Sequence, residues 1–110
     1  MPINKYQIIR YQALDKCFRN TGKRYFIEDL IDACNEAIYN FSGNSDGVQK
    51  RQIYDDIAFM LSEDGYAAPI DKEKIGRKVY YFYSDYNFTI NNQPLTESEA
   101  LELKETLLTL

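Results

Sequence analysis

The chain has no histidine, so it lacks the usual general base of enzymes and the commonest metal ligand. Its five glycines are scattered, and none stands in a G-x-x-x-x-G-K or G-x-G-x-x-G frame; a glycine loop that cradles phosphate is therefore absent. The two cysteines, Cys17 and Cys34, have neither a C-x-x-C nor a zinc-site spacing. Each falls on the apolar side of an expected helix and reads as a small buried hydrophobe. The carboxylate pairs Asp55-Asp56 and Glu63-Asp64 are neighbours in sequence, and on a helix such neighbours point about 100° apart, too far to share one substrate readily. No apolar run approaches the roughly 18 residues of a membrane span, and no charged-then-apolar start suggests a secretory signal. These absences argue against an enzyme, a metal or a cofactor, and make a cytoplasmic location the expectation.

What is present suits one small domain: 110 residues with 45% hydrophobic content can bury a core unaided. Residues 5–19 read as a first helix, with Ile9, Ala13 and Cys17 on one line and Leu14 and Phe18 widening the stripe. Thr21-Gly22-Lys23 breaks it. Ile27, Leu30, Ile31, Cys34, Ala37, Ile38 and Phe41 then give the cleanest 3.6-residue period in the chain and define a second helix. The segment Ser42-Gly43-Asn44-Ser45-Asp46-Gly47 has the composition of a loop.

Gly47 to Met60 carries the most specific signal, a basic and amide-rich first turn ahead of a strict helical stripe. Ile53, Ile57, Met60 and Leu61 share one face of a helix that runs to about Glu63, while Arg51, Gln52 and Asp55 project roughly opposite. That is the arrangement of a DNA recognition helix. It is also compatible with an ordinary surface helix bearing an Arg51–Asp55 ion pair at i, i+4. Asp56 lies beside the buried stripe and is expected to be a structural partner of a first-helix base such as Arg10. Two β-prone runs follow, 67–71 and 78–83, separated by Lys72-Glu73-Lys74-Ile75-Gly76-Arg77. A basic-tipped hairpin directly after such a helix is the wing of a winged helix-turn-helix. Alternation sends Tyr81 and Tyr83 to one face and Tyr80 and Phe82 to the other; a core-filling face is the ordinary reading, and a stacking platform for single-stranded nucleic acid the alternative.

The formal charge of −4 is unusual for a DNA binder, but the charges are segregated. Lys5, Arg10, Lys16, Arg19, Lys23 and Arg24 face only Asp15 within the first 25 residues, whereas Glu28, Asp29, Asp32, Glu36 and Asp46 follow without a base. Lys50 and Arg51 open the third helix, and Lys72, Lys74, Arg77 and Lys78 gather at the hairpin against Glu73. Such blocks are either solvated faces or, if the fold brings the clusters together, a nucleic-acid footprint.

The start Met-Pro-Ile-Asn-Lys, Ile9-Arg10-Tyr11 with Cys17-Phe18-Arg19-Asn20, Ile27-Glu28-Asp29-Leu30-Ile31 and Arg51-Gln52-Ile53-x-x-Asp56-Ile57 together resemble bacterial WYL-domain transcriptional regulators. Gly76-Arg77-Lys78-Val79-Tyr80-Tyr81 and the stretch from Tyr86 to Leu95 continue the resemblance. It spans essentially the whole chain but only the amino-terminal winged helix-turn-helix of those proteins. The resemblance implies sequence-specific binding of double-stranded DNA, with the helix from about Val48 in the major groove, and control of transcription by an effector bound to a carboxy-terminal domain beyond Leu110. The residues expected at the DNA are Gln49, Lys50, Arg51, Gln52 and Tyr54 on the helix and Lys72, Lys74 and Arg77 on the wing. Arg51 would meet phosphate or guanine, and Gln52 could pair with adenine. Where the family often opens this helix with Ser or Thr, this chain has Gln49, so the cap is expected from Ser45, Asp46 or water. The rival reading is a winged-helix scaffold used for protein contact without DNA, which the acidic balance favours.

The expected organisation is mainly α with a small β-hairpin wing: a winged helix-turn-helix over 1–84, a connector over 85–95, and a linker or dimerisation helix over 96–110, as in a piece of a longer regulator. Thr96-Glu97-Ser98-Glu99 is a capping box, and Ala100, Leu103, Leu107 and Leu110 then form a short apolar seam. The seam would pack on the winged helix or pair with a second copy in a homodimer.

Overall fold

The computed structural model describes residues 5–43 and 47–92. Three helices, α1 (Lys5–Arg19), α2 (Ile27–Ser42) and α3 (Lys50–Leu61), support three strands, β1 (Tyr25–Phe26), β2 (Ile70–Ile75) and β3 (Lys78–Tyr83). The helix-rich chain with a small antiparallel sheet is a winged helix, as its periodicity predicts.

Helix α2 starts and stops for local reasons. The Asp29 carboxylate accepts the Phe26 backbone N–H at 3.0 Å, satisfying a donor at the start of α2. Gly43, at φ 74°, ends that helix in the left-handed conformation and donates its N–H to the Tyr39 carbonyl at 2.7 Å. Helix α1 packs on both α2 and α3. Leu14 and Phe18 of α1, Leu30 and Cys34 of α2, and Ile53 and Met60 of α3 are completely buried between them. Two residues of the sequence stripes are exposed instead: Phe41 at 58% and Leu61 at 46%. Both lie in the last turn of their helices. On α3 the face that meets the core is Ile53, Asp56, Ile57 and Met60, which leaves Leu61 about 90° to one side.

The sheet has the order β1-β3-β2, with both pairings antiparallel. Strand β1 has no sequence period to announce it; it exists because β3 offers a free edge, where Tyr25 pairs with Tyr81 and Phe26 with Tyr80. The first hairpin strand begins later than its β-prone run suggests. Ala67 has φ 47° and Pro69 has no N–H to donate, so pairing starts at Ile70 and continues through the charged residues to Ile75. Gly76, at φ 61°, takes the first position of a two-residue turn with Arg77; a left-handed residue there matches the twist of the strands.

Pairing fixes the faces of the wing. Ile70, Lys72 and Lys74 lie opposite Tyr83, Tyr81 and Val79, while Asp71, Glu73 and Ile75 lie opposite Phe82, Tyr80 and Lys78. Tyr83 is buried and Tyr81 packs against the core, so the aromatic run fills the core from one face, as its alternation suggests.

After β3 the chain returns to α1. Asp15, 1% exposed, accepts hydrogen bonds from the Tyr83 hydroxyl at 2.7 Å, the Thr89 hydroxyl at 2.8 Å and the Ile90 N–H at 3.0 Å. Gln12 and Asn91 exchange two side-chain bonds at 2.8 and 3.0 Å. Among the described residues no buried side-chain polar atom lacks a partner. The connector expected over 85–95 is described only to Asn92, and the seam residues Ala100, Leu103, Leu107 and Leu110 lie outside the described residues.

Candidate nucleic-acid interface

Helix α3 is held just before its start and at the middle of its buried face. Before it, the Val48 N–H donates to the Asn35 side chain of α2 at 2.7 Å. Within it, Arg10 of α1 donates from Nε to Asp56 Oδ2 at 2.6 Å and from a terminal nitrogen to Asp56 Oδ1 at 3.1 Å. This is the pairing expected for Asp56. Hydrogen bonding to the carboxylate holds the Arg10 guanidinium above its ordinary pKa, while burial pushes the Asp56 carboxyl up against the pull of Arg10.

With that face pinned, Arg51, Tyr54, Asp55 and Ala58 form the outward stripe at spacings of three and four, and all are exposed. Lys50 and Gln49 are exposed beside them. Among the described residues the ion pairs are Arg10–Asp56 and Arg19–Asp15, so Arg51 is not tied to Asp55 and the i, i+4 pair of an ordinary surface helix does not form.

The cap of α3 draws on the helix itself. Gln49 is the N-cap, in extended conformation at φ −88° and ψ 150°, and its N–H is satisfied by the Gln52 side-chain oxygen at 2.9 Å. Gln52 therefore satisfies one of the donors at the start of the helix; Ser45 and Asp46, from which a cap was expected, lie outside the described residues. A glutamine reads adenine through both its oxygen and its nitrogen, so bidentate readout would require Gln52 to release the Gln49 N–H.

The wing presents two faces of different chemistry. Lys72 and Lys74 sit in β2 rather than in a loop, on the face of Tyr81 and Val79, and both are exposed. Tyr81 packs against the core, so this face of the wing is the one turned toward the helices. Tyr54 of α3 is 46% exposed. Arg77 stands in the turn. Glu73, the acid among the hairpin bases, is turned to the other face, where the Tyr80 hydroxyl donates to it at 2.5 Å. Lys78 goes with Glu73: its ammonium lies 5.5 Å from the Phe26 ring centroid. Arg24 lies over Tyr80 on that same outer face, at 5.4 Å. The hairpin bases that sequence order groups together are thus divided, with Lys72 and Lys74 on one side, Arg77 at the tip and Lys78 on the other.

One polar centre escaped the sequence reading. Asp15 counted only as the acid among six bases, yet it is the buried acceptor that joins α1 to β3 and to residues 89–90. Its signal was its position between Leu14 and Cys17 on the apolar side of α1.

The surface is one of charged, amide and phenolic groups. Burial pushes the Cys17 thiol up to about 11 and the Cys34 thiol to about 12, so neither is an activated nucleophile. No group of three or more Cys, Asp or Glu among the described residues could hold a metal ion, and no described helix is long and apolar enough to cross a membrane.

No curated protein and no solved structure matches the chain. The family model for the N-terminal winged helix domain of WYL domain-containing proteins matches residues 6–84, from the second residue of α1 to just past the end of β3. The chain belongs to the family of N-terminal winged helix domains of WYL domain-containing proteins.

Proposed function

We propose that the chain binds double-stranded DNA sequence-specifically, as the DNA-binding part of a transcriptional regulator, with α3 in the major groove and the wing on the adjacent backbone. The observation that carries this reading is the state of Arg51: exposed, at the start of the outward stripe of α3, and tied to no carboxylate among the described residues. A guanidinium exposed on a packed helix, with no carboxylate paired to it among the described residues, suits phosphate, or the O6 and N7 of guanine.

In this reading Lys50 and Arg51 supply charge at the start of the helix, Gln49 and Tyr54 flank the contact, and Gln52 either caps or reads a base. Lys72, Lys74 and Arg77 hold phosphates from the wing. The net charge of −4 is compatible because Glu28, Asp32 and Glu36 lie exposed on α2, a different element from the one proposed to meet DNA. A cytoplasmic site of action follows from the DNA partner, and an effector would act through a further domain rather than through this one.

The test is selection from a randomised duplex library at low salt, with Arg51→Ala run in parallel. Enrichment of a motif by the wild-type chain, lost or relaxed at one position in the variant, supports the proposal. Equal behaviour of the two folded proteins would remove Arg51 from the interface. No enrichment by either would shift weight to a winged-helix scaffold for protein contact.

A further inference from the structure

Between α1 and α2 lies a groove of about 850 Å³ that the proposed DNA interface does not use. Its floor is small and apolar, with Ala13 from α1 and Ala33 and Ala37 from α2, and Ile8 stands at its edge 48% exposed. The two walls differ in sign: Lys16 and Arg19 on α1, Asp29, Asp32 and Glu36 on α2. Asn91 also lines the groove, held there by its two bonds to Gln12. The chain therefore reaches the groove immediately before residue 93.

We propose that the occupant of this groove is residues 96–110 of the same chain, docked as an amphipathic helix. Length permits it. Residues 93–96 can span roughly 13 Å if extended, and a helix from Glu97 to Leu110 would run about 21 Å, against about 17 Å between Ile8 and Arg19 along α1. The seam of Ala100, Leu103, Leu107 and Leu110 matches a floor of alanines, which lets a third helix approach closely.

Charge selects the occupant further. With that seam facing down, one flank of the helix carries Glu99 and Glu102 and the other carries Glu97 and Lys104, whose charges cancel. In one of the two directions along the groove, Glu99 and Glu102 meet Lys16 and Arg19, and the flank without net charge lies against the acidic wall of α2. Tethering favours the chain's own segment over a second copy, because a short linker gives an effective concentration on the order of millimolar. The inference does not depend on DNA binding.

The test places a nitroxide at Ser98→Cys, on the flank away from the seam, in the full chain with isotope-labelled methyl groups. The methyl signals of Ile8, Ala33 and Ala37 should lose most of their intensity when label and nitroxide share a chain. They should keep it when labelled chains are mixed with unlabelled nitroxide-bearing ones. Adding Leu103→Asp and Leu107→Asp should restore the signals while the methyl spectrum of Leu14, Leu30 and Ile53 stays dispersed. Broadening in the mixed sample would overturn the proposal in favour of a second copy, and absence of broadening in both samples would show that residues 96–110 do not occupy the groove.

Discussion

Arg10 and Asp56, 46 positions apart in sequence, form a two-pronged buried ion pair that fastens α3 to α1. The carboxylate is 4% exposed and the arginine 8%, so each charge depends on the other for the solvation it has lost. The pair sits on the buried face of α3, opposite Arg51, and so sets which side of that helix faces outward.

Removing one partner leaves the other charge buried and unpaired. Asp56→Ala should lower unfolding free energy by about 3–5 kcal/mol, whereas joint replacement by Arg10→Met and Asp56→Leu should recover most of that loss. Urea denaturation of the two single variants and the double variant measures the coupling. A single-variant loss near zero would mean that the pair does not hold the helices together.

The division of the wing bases predicts unequal roles. Replacing Lys72, Lys74 and Arg77 together with Ala should flatten the slope of log affinity against log salt by up to about three charges' worth of counterion release. Lys78→Ala, on the opposite face, should change the slope much less. Titrations at four or more salt concentrations compare them; equal slopes for Lys78→Ala and the triple variant would place the outer face of the wing at the DNA.

Ala67 is the only non-glycine with positive φ among the described residues, at 47°. An L-residue held there is disfavoured by roughly 1–2 kcal/mol, and glycine gives back part of that gain through its larger entropy loss. Ala67→Gly should therefore stabilise the fold by about 0.5–1 kcal/mol, visible as a higher Tm. A lower Tm would show that the loop does not hold this residue in the left-handed region.

Alkaline pH should weaken the fold through its buried acids. The folded chain keeps the Cys17 thiol protonated to about pH 11 and the Cys34 thiol to about 12. Burial and the bond to Asp15 likewise push the Tyr83 phenol up. An unfolded thiol releases its proton near pH 9, so above that pH the unfolded state binds fewer protons and stability falls as pH rises. Well below pH 9 these groups should contribute no slope; by pH 10 the two thiols should cost about 3 kcal/mol. Urea midpoints between pH 7 and pH 10 measure this, and the decline should be shallower in the Cys17→Ala, Cys34→Ala double variant.

The groups legible in sequence were those whose role follows from period. The buried faces of α1, α2 and α3 repeat every three to four residues, and a helix needs only that pattern to know which side is wet. Asp56 was legible as structural for the same reason, since it falls within the buried arc. Phe41 and Leu61 were misjudged because periodicity does not say where the neighbouring helix ends. Strand β1 and the capping role of Gln52 had no periodic trace: the first depends on a partner strand 55 residues away, the second on the backbone conformation of Gln49.

The sequence by itself determined the three helices, the presence of a hairpin with a glycine at its turn, and the alternation of the aromatic strand, because these follow from local periodicity and from the conformations open to glycine; the bounds of the first hairpin strand came from its pairing with β3. The tertiary structure alone decided which charges act together. Strand pairing turned Glu73 and Lys78 away from Lys72 and Lys74, helix packing buried Asp15 and Asp56 against donors far along the chain, and the same packing of α3 left Arg51 outward, with no ion pair among the described residues.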